Sequence, residues 1–148
     1  MKIKGLLAIG VCFLFSCVIK PEAQKRRLIN VNDTIRSESY QGIIPCADCP
    51  GIKTTLKLVF GRDSTYTLSE TYLERNNGKA FLTEGSFRME QGYDEDPNAV
   101  LIILNPGKTD GERYYLRFSK NPEVLLMLTA NRELIDSKLN FKLIRVEK

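Results

Sequence analysis

The chain has 148 residues, an ordinary hydrophobic content of 43% and a formal net charge of +4. The charge falls to +2 without Lys2 and Lys4 of the apolar N-terminus, which argues against nucleic-acid binding because that function needs a concentrated basic face. Histidine is absent, so histidine-dependent catalytic triads and His-ligated metal sites are excluded. This length has room for one domain and a tail.

Residues 1–16 have the pattern of a secretory signal peptide. A positive start at Lys2 and Lys4 precedes an apolar run over residues 6–15, which is too short to span a bilayer as a helix. The run ends in Leu14-Phe15-Ser16-Cys17, which is similar to the bacterial lipoprotein cleavage box. We therefore expect Cys17 to carry the lipid, with palmitate-type chains as a membrane anchor. The alternative is an ordinary signal peptide that releases a soluble protein.

Residues 17–39 are predicted to be the lipid anchor and a flexible, polar tether. Their basic residues would either contact anionic headgroups or serve only as a solvated spacer. Val18 stands where an aspartate would retain an enterobacterial lipoprotein at the inner membrane. The expected location is therefore the outer membrane, facing the periplasm.

Residues 40–148 are predicted to form one domain built of strands. Apolar residues alternate with polar ones, and turn-forming residues recur roughly every ten positions, as in all-β sandwiches and barrels. The marked segments are residues 40–44, 52–60, 66–72, 81–89, 100–104, 114–118, 124–128 and 139–145. Gly85 within one segment suggests a bulge or a sharp bend.

The expected fold is all-β, a small antiparallel meander barrel of about eight strands, because closing the sheet removes its edges. A two-sheet sandwich is the alternative, since periodicity alone does not separate the two. An eight-stranded barrel is either filled by side chains or holds one small ligand. A lipocalin-like carrier of a small apolar ligand is therefore an open alternative.

The segment Tyr40-x-Gly42-x-x-Pro45-Cys46-Ala47-Asp48-Cys49-Pro50-Gly51-Ile52 resembles the N-terminal domain of NlpE-type (CutF-type) lipoproteins. Tyr66-x-Leu68, Gly85-x-Phe87 and Leu139-Asn140-Phe141-x-Leu143 extend the resemblance over residues 40–146. It implies a lipid-anchored envelope protein with a lipocalin-like barrel. It also implies a role in copper homeostasis and in signalling envelope stress or surface contact. Enterobacterial members also carry a C-terminal OB-like domain, whose activities are not expected of these 148 residues.

Three interpretations of Cys46 and Cys49 remain open. The first is a structural disulfide that fixes a bend stiffened by Pro45 and Pro50. The second is a Cu(I) site, because Cu(I) prefers sulfur, with Asp48 modulating the charge of the site. Met89 and Met127 could assist such a site but occupy apolar strand positions. The third is thiol–disulfide exchange or redox sensing, although catalytic pairs usually begin a helix.

The remaining candidates have simpler explanations. Asp94, Glu95 and Asp96 could hold a divalent cation but read as a solvated loop, and Gly107-x-x-x-Gly111 reads as a turn. We expect no catalytic machinery and no required cofactor, with copper(I) as the one candidate. The expected partners are the membrane, through the lipid, and an envelope sensor or signalling protein.

Overall fold

The computed structural model describes residues 35–108 and 110–146. The predicted signal peptide 1–16, Cys17 and residues 18–34 lie outside the described residues. Within them, no helix has the length and apolarity needed to cross a membrane. The strands are β1 Arg36–Ile44, β2 Ile52–Phe60, β3 Thr65–Tyr72, β4 Ala80–Tyr93, β5 Asp96–Leu104, β6 Arg113–Arg117, β7 Val124–Met127 and β8 Lys142–Val146.

The strands form a closed antiparallel barrel in chain order. β8 returns to pair with β1 through Ser39 opposite Val146 and Tyr40 opposite Arg145. Each β-strand from β2 to β7 pairs with its two neighbours along the chain. The predicted all-β meander barrel is thus confirmed, and the sandwich alternative is wrong because β8 closes the sheet onto β1.

Three local predictions need correction. β1 begins at Arg36, so residues 36–39, which the sequence pattern assigns to the tether, belong to the barrel. β5 begins at Asp96, although Asp96 is predicted with Asp94 and Glu95 to lie in a solvated loop. In both places polar side chains at the end of a strand hide its alternation. The irregularity in β4 lies between Gln91 and Tyr93 rather than at Gly85.

Gly85 instead lies where another part of the chain approaches closely. A β-carbon there would overlap the side-chain oxygen of Asn105 and lie 3.0 Å from Cε1 of Tyr66. β4 also changes partner next to this position, because Ser86 is the last residue opposite β3 and Phe87 the first opposite β5. Glycine is therefore required at position 85, because a β-carbon would collide with the side chains of Asn105 and Tyr66.

Apolar side chains that alternate along the strands fill the barrel interior. Tyr40 of β1 and Leu143 of β8 are fully buried members of this inner layer, which continues around the barrel. The buried members of this inner cluster are Tyr40, Ile44, Leu56, Leu58, Tyr66, Leu68, Phe87, Ile102, Leu104, Tyr115, Leu125 and Leu143. Such packing matches the filled form of an eight-stranded barrel rather than a ligand-holding one.

A buried carboxylate, Glu38, lies among three partly exposed arginines at the end of the barrel where the described chain begins. The Glu38 side chain is 1% exposed, accepts a 2.7 Å hydrogen bond from the Tyr40 hydroxyl, and pairs with Arg36. Its carboxylate also lies 2.9 Å from Nη1 of Arg117 and 2.5 Å from Nη2 of Arg145. These contacts join β1 to β6 and β8 across the interior, so they hold the closure of the barrel.

A second, partly buried ion pair lies at the opposite end. Nη1 and Nη2 of Arg113 donate to the two carboxylate oxygens of Glu70 at 2.7 and 3.0 Å. Glu70 is near the end of β3 and Arg113 begins β6, so the pair spans the barrel mouth above the apolar layer. Planar two-point pairing of this kind restrains both side chains.

The outer face of β5 and β6 carries a second apolar cluster. Leu101 and Ile103 alternate with the inward residues of β5 and are also buried. The connection after β7 folds back here, because Leu128 bridges to Leu134 and the Tyr93 hydroxyl donates to the Arg132 carbonyl oxygen at 2.9 Å. Because β5 is buried on both faces, residues 100–104 are all apolar and do not alternate with polar residues.

Candidate functional site at the Cys46–Cys49 loop

The connection between β1 and β2 carries both predicted cysteines and lies at one end of the barrel. In an up-and-down meander, the β1–β2, β3–β4, β5–β6 and β7–β8 connections share one end. The start of β1 is at the other end. β1 has nine residues, which places the loop about 26 Å along the strand from Arg36. We call the two ends the cysteine end and the N-terminal end.

Cys46 and Cys49 form a disulfide within this loop. Their sulfur atoms are 2.15 Å apart and their Cα atoms 5.3 Å apart. Both residues are half-buried, whereas Ala47 and Asp48 between them are exposed. The bridge therefore holds a tight bend whose tip faces solvent.

The sequence around the disulfide fits the bend. Pro45 and Pro50 flank the cysteines and have no backbone N–H, so the loop does not continue the ladder between β1 and β2. At Gly51 a β-carbon would lie 2.5 Å from Cγ2 of Ile43 and 3.3 Å from the Ile44 carbonyl oxygen. Only glycine allows the returning chain to pass this close to the end of β1.

Arg75, from the β3–β4 connection, holds the loop from outside. Its Nη2 donates to the Asp48 carbonyl oxygen at 2.8 Å, and its Nη1 lies 3.0 Å from the Asp48 carboxylate. The backbone N–H of Leu73 also donates to the Gly51 carbonyl oxygen at 3.0 Å. Both charged side chains are about half exposed, so the ion pair itself stabilises by at most about 1 kcal/mol. Its main effect is to position the loop.

The Arg75 contact is not predictable from the sequence, although residues 76–78 have the composition of a turn. Asn76, Asn77 and Gly78 all have positive φ, which these residue types tolerate best. They reverse the chain just after Arg75 and leave its side chain at the cysteine end. A basic residue next to an Asn-Asn-Gly turn carries no sequence signal for the distant loop it will contact.

A cavity of about 480 Å³ opens beside the loop. Asp48 and Arg75 line one part of it, and Tyr72 and Phe81 line another with their rings edge to face at 5.7 Å. Glu70, paired with Arg113, is also part of the lining. The cysteine end thus offers a shallow surface with charged and aromatic parts, in addition to the disulfide.

The donor atoms for a metal are present in the same loop. One oxygen of Asp48 and the sulfurs of Cys46 and Cys49 all lie within 4.8 Å of one another. Two sulfurs suit Cu(I), and a carboxylate is a poor ligand for it. In the disulfide form the sulfurs are not thiolates, so metal binding requires reduction first.

The other predicted candidates lie elsewhere or have structural roles. Met127 packs against the inner apolar cluster, whereas Met89 is 47% exposed on the part of β4 that runs toward the N-terminal end. Asp96 accepts hydrogen bonds from the N–H and the hydroxyl of Ser119 at 2.9 Å, and the backbone bond foremost lowers the pKa of its carboxyl. This carboxylate therefore joins the β4–β5 and β6–β7 connections.

Asp94 and Glu95 form the turn between β4 and β5, beside a cavity of about 660 Å³ at the N-terminal end. This cavity is larger than the one beside the disulfide, but its lining contains no cysteine. In the predicted turn at Gly107, the backbone N–H donates to the Glu112 carboxylate at 2.5 Å. Both segments are explained by local turn geometry.

Comparison with known proteins assigns the family. The family described as the NlpE N-terminal domain matches residues 40–138, which include the second half of β1, the cysteine loop and all of β2 to β7. The chain belongs to the NlpE family. It is 32% identical over 107 residues to lipoprotein NlpE of Escherichia coli (strain K12), covering 72% of this chain and 39% of that protein.

A second similar protein is also named a lipoprotein. The 17 kDa lipoprotein of Treponema pallidum (strain Nichols) is 34% identical over 80 residues, covering 53% of this NlpE-family chain and 50% of its relative. The chain thus spans about half or less of the length of both relatives.

Two solved structures are similar. A candidate lipoprotein from Shewanella oneidensis has a TM-score of 0.49 at 28% identity, with 72% and 85% of the two chains covered. The structure described as the Cpx pathway activator NlpE from Escherichia coli has a TM-score of 0.45 at 27% identity, with coverages of 75% and 52%.

Proposed function

We propose that this NlpE-family chain is a lipoprotein of the bacterial envelope that signals envelope stress by binding a sensor protein. Membership of the family and the names of both relatives support the lipoprotein assignment. The description of the Escherichia coli structure as a Cpx pathway activator supports the signalling role. Binding rather than catalysis is the proposed mode of action, and Val18 supports an outer-membrane location.

The separation of the two barrel ends carries this proposal. A lipid on Cys17 would attach to the membrane the part of the chain that enters β1 at Arg36, at the N-terminal end. The exposed tip of the disulfide loop lies about 26 Å away along β1. Asp48, Arg75 and the cavity that they help to line would therefore point away from the anchoring membrane, toward a partner in the periplasm.

The disulfide gives the signalling surface a defined shape. Cys46 and Cys49 lie on either side of Asp48, whose carbonyl and carboxylate contact Arg75. Reduction would release the bend and with it the position of Asp48, so the thiol state would change the surface that a sensor meets. Oxidation is favoured in an exported protein, which makes the disulfide the resting form.

The experiment compares the two ends of the barrel in cells that carry a stress-pathway reporter. We expect Asp48→Ala combined with Arg75→Ala to lower reporter induction at least fivefold, and Cys17→Ser to change it by removing the lipid. The control pair Arg62→Ala and Asp63→Ala alters an exposed turn at the N-terminal end and should leave induction unchanged. Equal effects of the two pairs, at equal protein levels, would refute a role for the cysteine end.

Copper binding is a second candidate function, supported by the donor atoms of Cys46 and Cys49. Cu(I) bound there would provide a second way to hold the loop once the disulfide is reduced. The reduced chain should bind one Cu(I) in competition with a chromogenic chelator, and Cys46→Ser with Cys49→Ser should abolish binding. Met89→Leu serves as the control, and a similar loss in that variant would place the site elsewhere.

The carrier alternative receives no support from the described residues. Side chains of the inner apolar cluster, such as Leu56, Ile102 and Leu125, are fully buried by one another. The Glu70–Arg113 pair lies across the mouth above them. A carrier would have to open this mouth and displace the cluster, so we do not propose the carrier function.

A further inference from the structure

Part of β4 has a strand partner on one side only. Residues 80–86 pair with β3, and β5 begins to pair only at Phe87, opposite Leu104. β5 ends at Leu104, so no described strand lies beside the first half of β4 on that side. Closing the barrel removes most edges of the sheet, but this stretch remains an edge at the cysteine end.

The hydrogen bonds on either side of this stretch show which backbone groups face the open side. The N–H of Phe87 donates toward β3, to the Ser64 carbonyl oxygen, and the Ser86 carbonyl oxygen accepts from Asn105 on the β5 side. Because successive residues of a strand alternate in direction, Ala80, Leu82 and Glu84 direct their N–H and C=O groups to the open side.

The edge is also exposed. Leu82 is 69% exposed and Phe81 is 47% exposed, and Ala80, Thr83 and Glu84 are exposed as well. Unpaired backbone groups flanked by apolar side chains are a template for another strand. A natural protein usually protects such an edge, and here only Lys79 and Glu84 add charge to the stretch.

We propose that a second copy of this chain pairs with the edge in antiparallel orientation, about a two-fold axis at Leu82. In this register Leu82 faces Leu82 of the second copy, and Ala80 faces Glu84. Each of the three residues then exchanges both of its backbone bonds, which satisfies all of these open groups with about six hydrogen bonds. The Leu82 side chains meet directly and leave water together.

The charges at the two ends of the edge favour the same arrangement. Lys79 precedes the edge and Glu84 lies near its end. In the antiparallel register Lys79 lies opposite Gly85 of the second copy, one position from Glu84, whereas in-register parallel pairing would place Lys79 beside Lys79 and Glu84 beside Glu84. Because a contact of this length is smaller than a standard interface, the dimer is weak and reversible.

Crosslinking tests the register. Three variants of the full chain, Leu82→Cys, Ala80→Cys and Glu84→Cys, are expressed in cells and oxidised, and the linked peptides are identified by mass spectrometry. Directly opposed residues in such a pair have Cα atoms about 5.5 Å apart, which suits a disulfide. Leu82→Cys should link to itself, and Ala80→Cys should link to Glu84→Cys in a mixture but not to itself.

Sedimentation of the purified full chain in detergent tests whether the exposed edge of β4 forms the dimer contact. Leu82→Lys places two positive charges on the axis and should weaken dimerisation at least tenfold, while Ile144→Lys, on another exposed apolar residue, should leave it unchanged. Leu82→Pro removes only an N–H that faces the open side, so its barrel should fold and its dimer should weaken.

Four results would overturn the proposal. The wild-type chain could remain monomeric at every concentration, Ile144→Lys could weaken the dimer as much as Leu82→Lys, or the crosslinks could follow another register. Links from position 82 only to a different protein would assign the edge to a heterologous partner instead. Any of these outcomes is distinguishable from failure of the stress-reporter experiment, which concerns Asp48 and Arg75.

Discussion

Replacement of Glu38 by glutamine should destabilise the barrel by about 3 kcal/mol. Removing one member of a buried ion pair typically destabilises a protein by about 3–5 kcal/mol, because the remaining charge stays buried without compensation. The Glu38 side chain is 1% exposed, but Arg117 and Arg145 are 17% and 26% exposed. Water still reaches part of both guanidinium groups, so we expect the lower part of that range.

Denaturant unfolding of the full chain at pH 7 measures this effect. Glu123→Gln is the matched control, because Glu123 pairs with the same Arg145 at 3.2 Å but is 55% exposed. Breaking that surface pair should lower the free energy of unfolding by at most about 1 kcal/mol. If the two variants unfold within 1 kcal/mol of each other, the buried cluster does not hold the β1–β8 closure.

The destabilisation caused by Glu38→Gln should depend on pH. Burial alone would raise the pKa of Glu38, but the Tyr40 hydrogen bond and the charges of Arg117, Arg145 and Arg36 outweigh it and lower the pKa. A lowered pKa contributes stability above the ordinary glutamate value of about 4.3, and this contribution is lost as pH falls through the folded value. The stability difference between wild type and Glu38→Gln should therefore shrink below about pH 4.

Three further predictions concern other positions. Burial foremost raises the pKa of Tyr115 to about 12. The neutral Tyr115 therefore stabilises the fold below pH 10, and about 2–3 kcal/mol of this stabilisation should be lost as pH rises from 10 to 12. Alkaline unfolding of Tyr115→Phe should lack this loss. Gly85→Ala should lower the free energy of unfolding by about 1–3 kcal/mol in denaturant, whereas Gly61→Ala, where a β-carbon meets nothing within 4 Å, should not. Cys46→Ser with Cys49→Ser should destabilise by at most about 2 kcal/mol, because the loop closed by the disulfide is short, and a larger loss in calorimetry would contradict that view.

The strand pattern and the bend at Cys46 and Cys49 were predictable because both depend on local sequence. Alternation marks an inward face wherever that face is apolar and the outer face is polar, as along β2 and β3. Prolines and glycine around two close cysteines likewise predict a tight loop.

The charged side chains that meet inside the barrel were not predictable from the alternation of apolar and polar residues. Glu38 follows Arg36 and Ser37, so the start of β1 resembles a solvated tether, and its inward position depends on Arg117 and Arg145 from distant strands. The contact between Arg75 and Asp48 has the same origin, since 27 residues separate them. The open edge of β4 likewise arises because β5 ends at Leu104. Where β5 ends depends on strand pairing in the barrel and not on the local strand propensity of the sequence.

The central claim, that the cysteine end faces a signalling partner while the N-terminal end faces the membrane, is tested most directly by photocrosslinking in stressed cells. A photoreactive residue is placed at Ala47, on the exposed tip of the disulfide loop, or at Asp63, on the exposed β2–β3 turn at the other end. We expect position 47 to crosslink to the sensor of the reporter pathway and position 63 not to crosslink to it. A sensor crosslink from position 63 alone would contradict it.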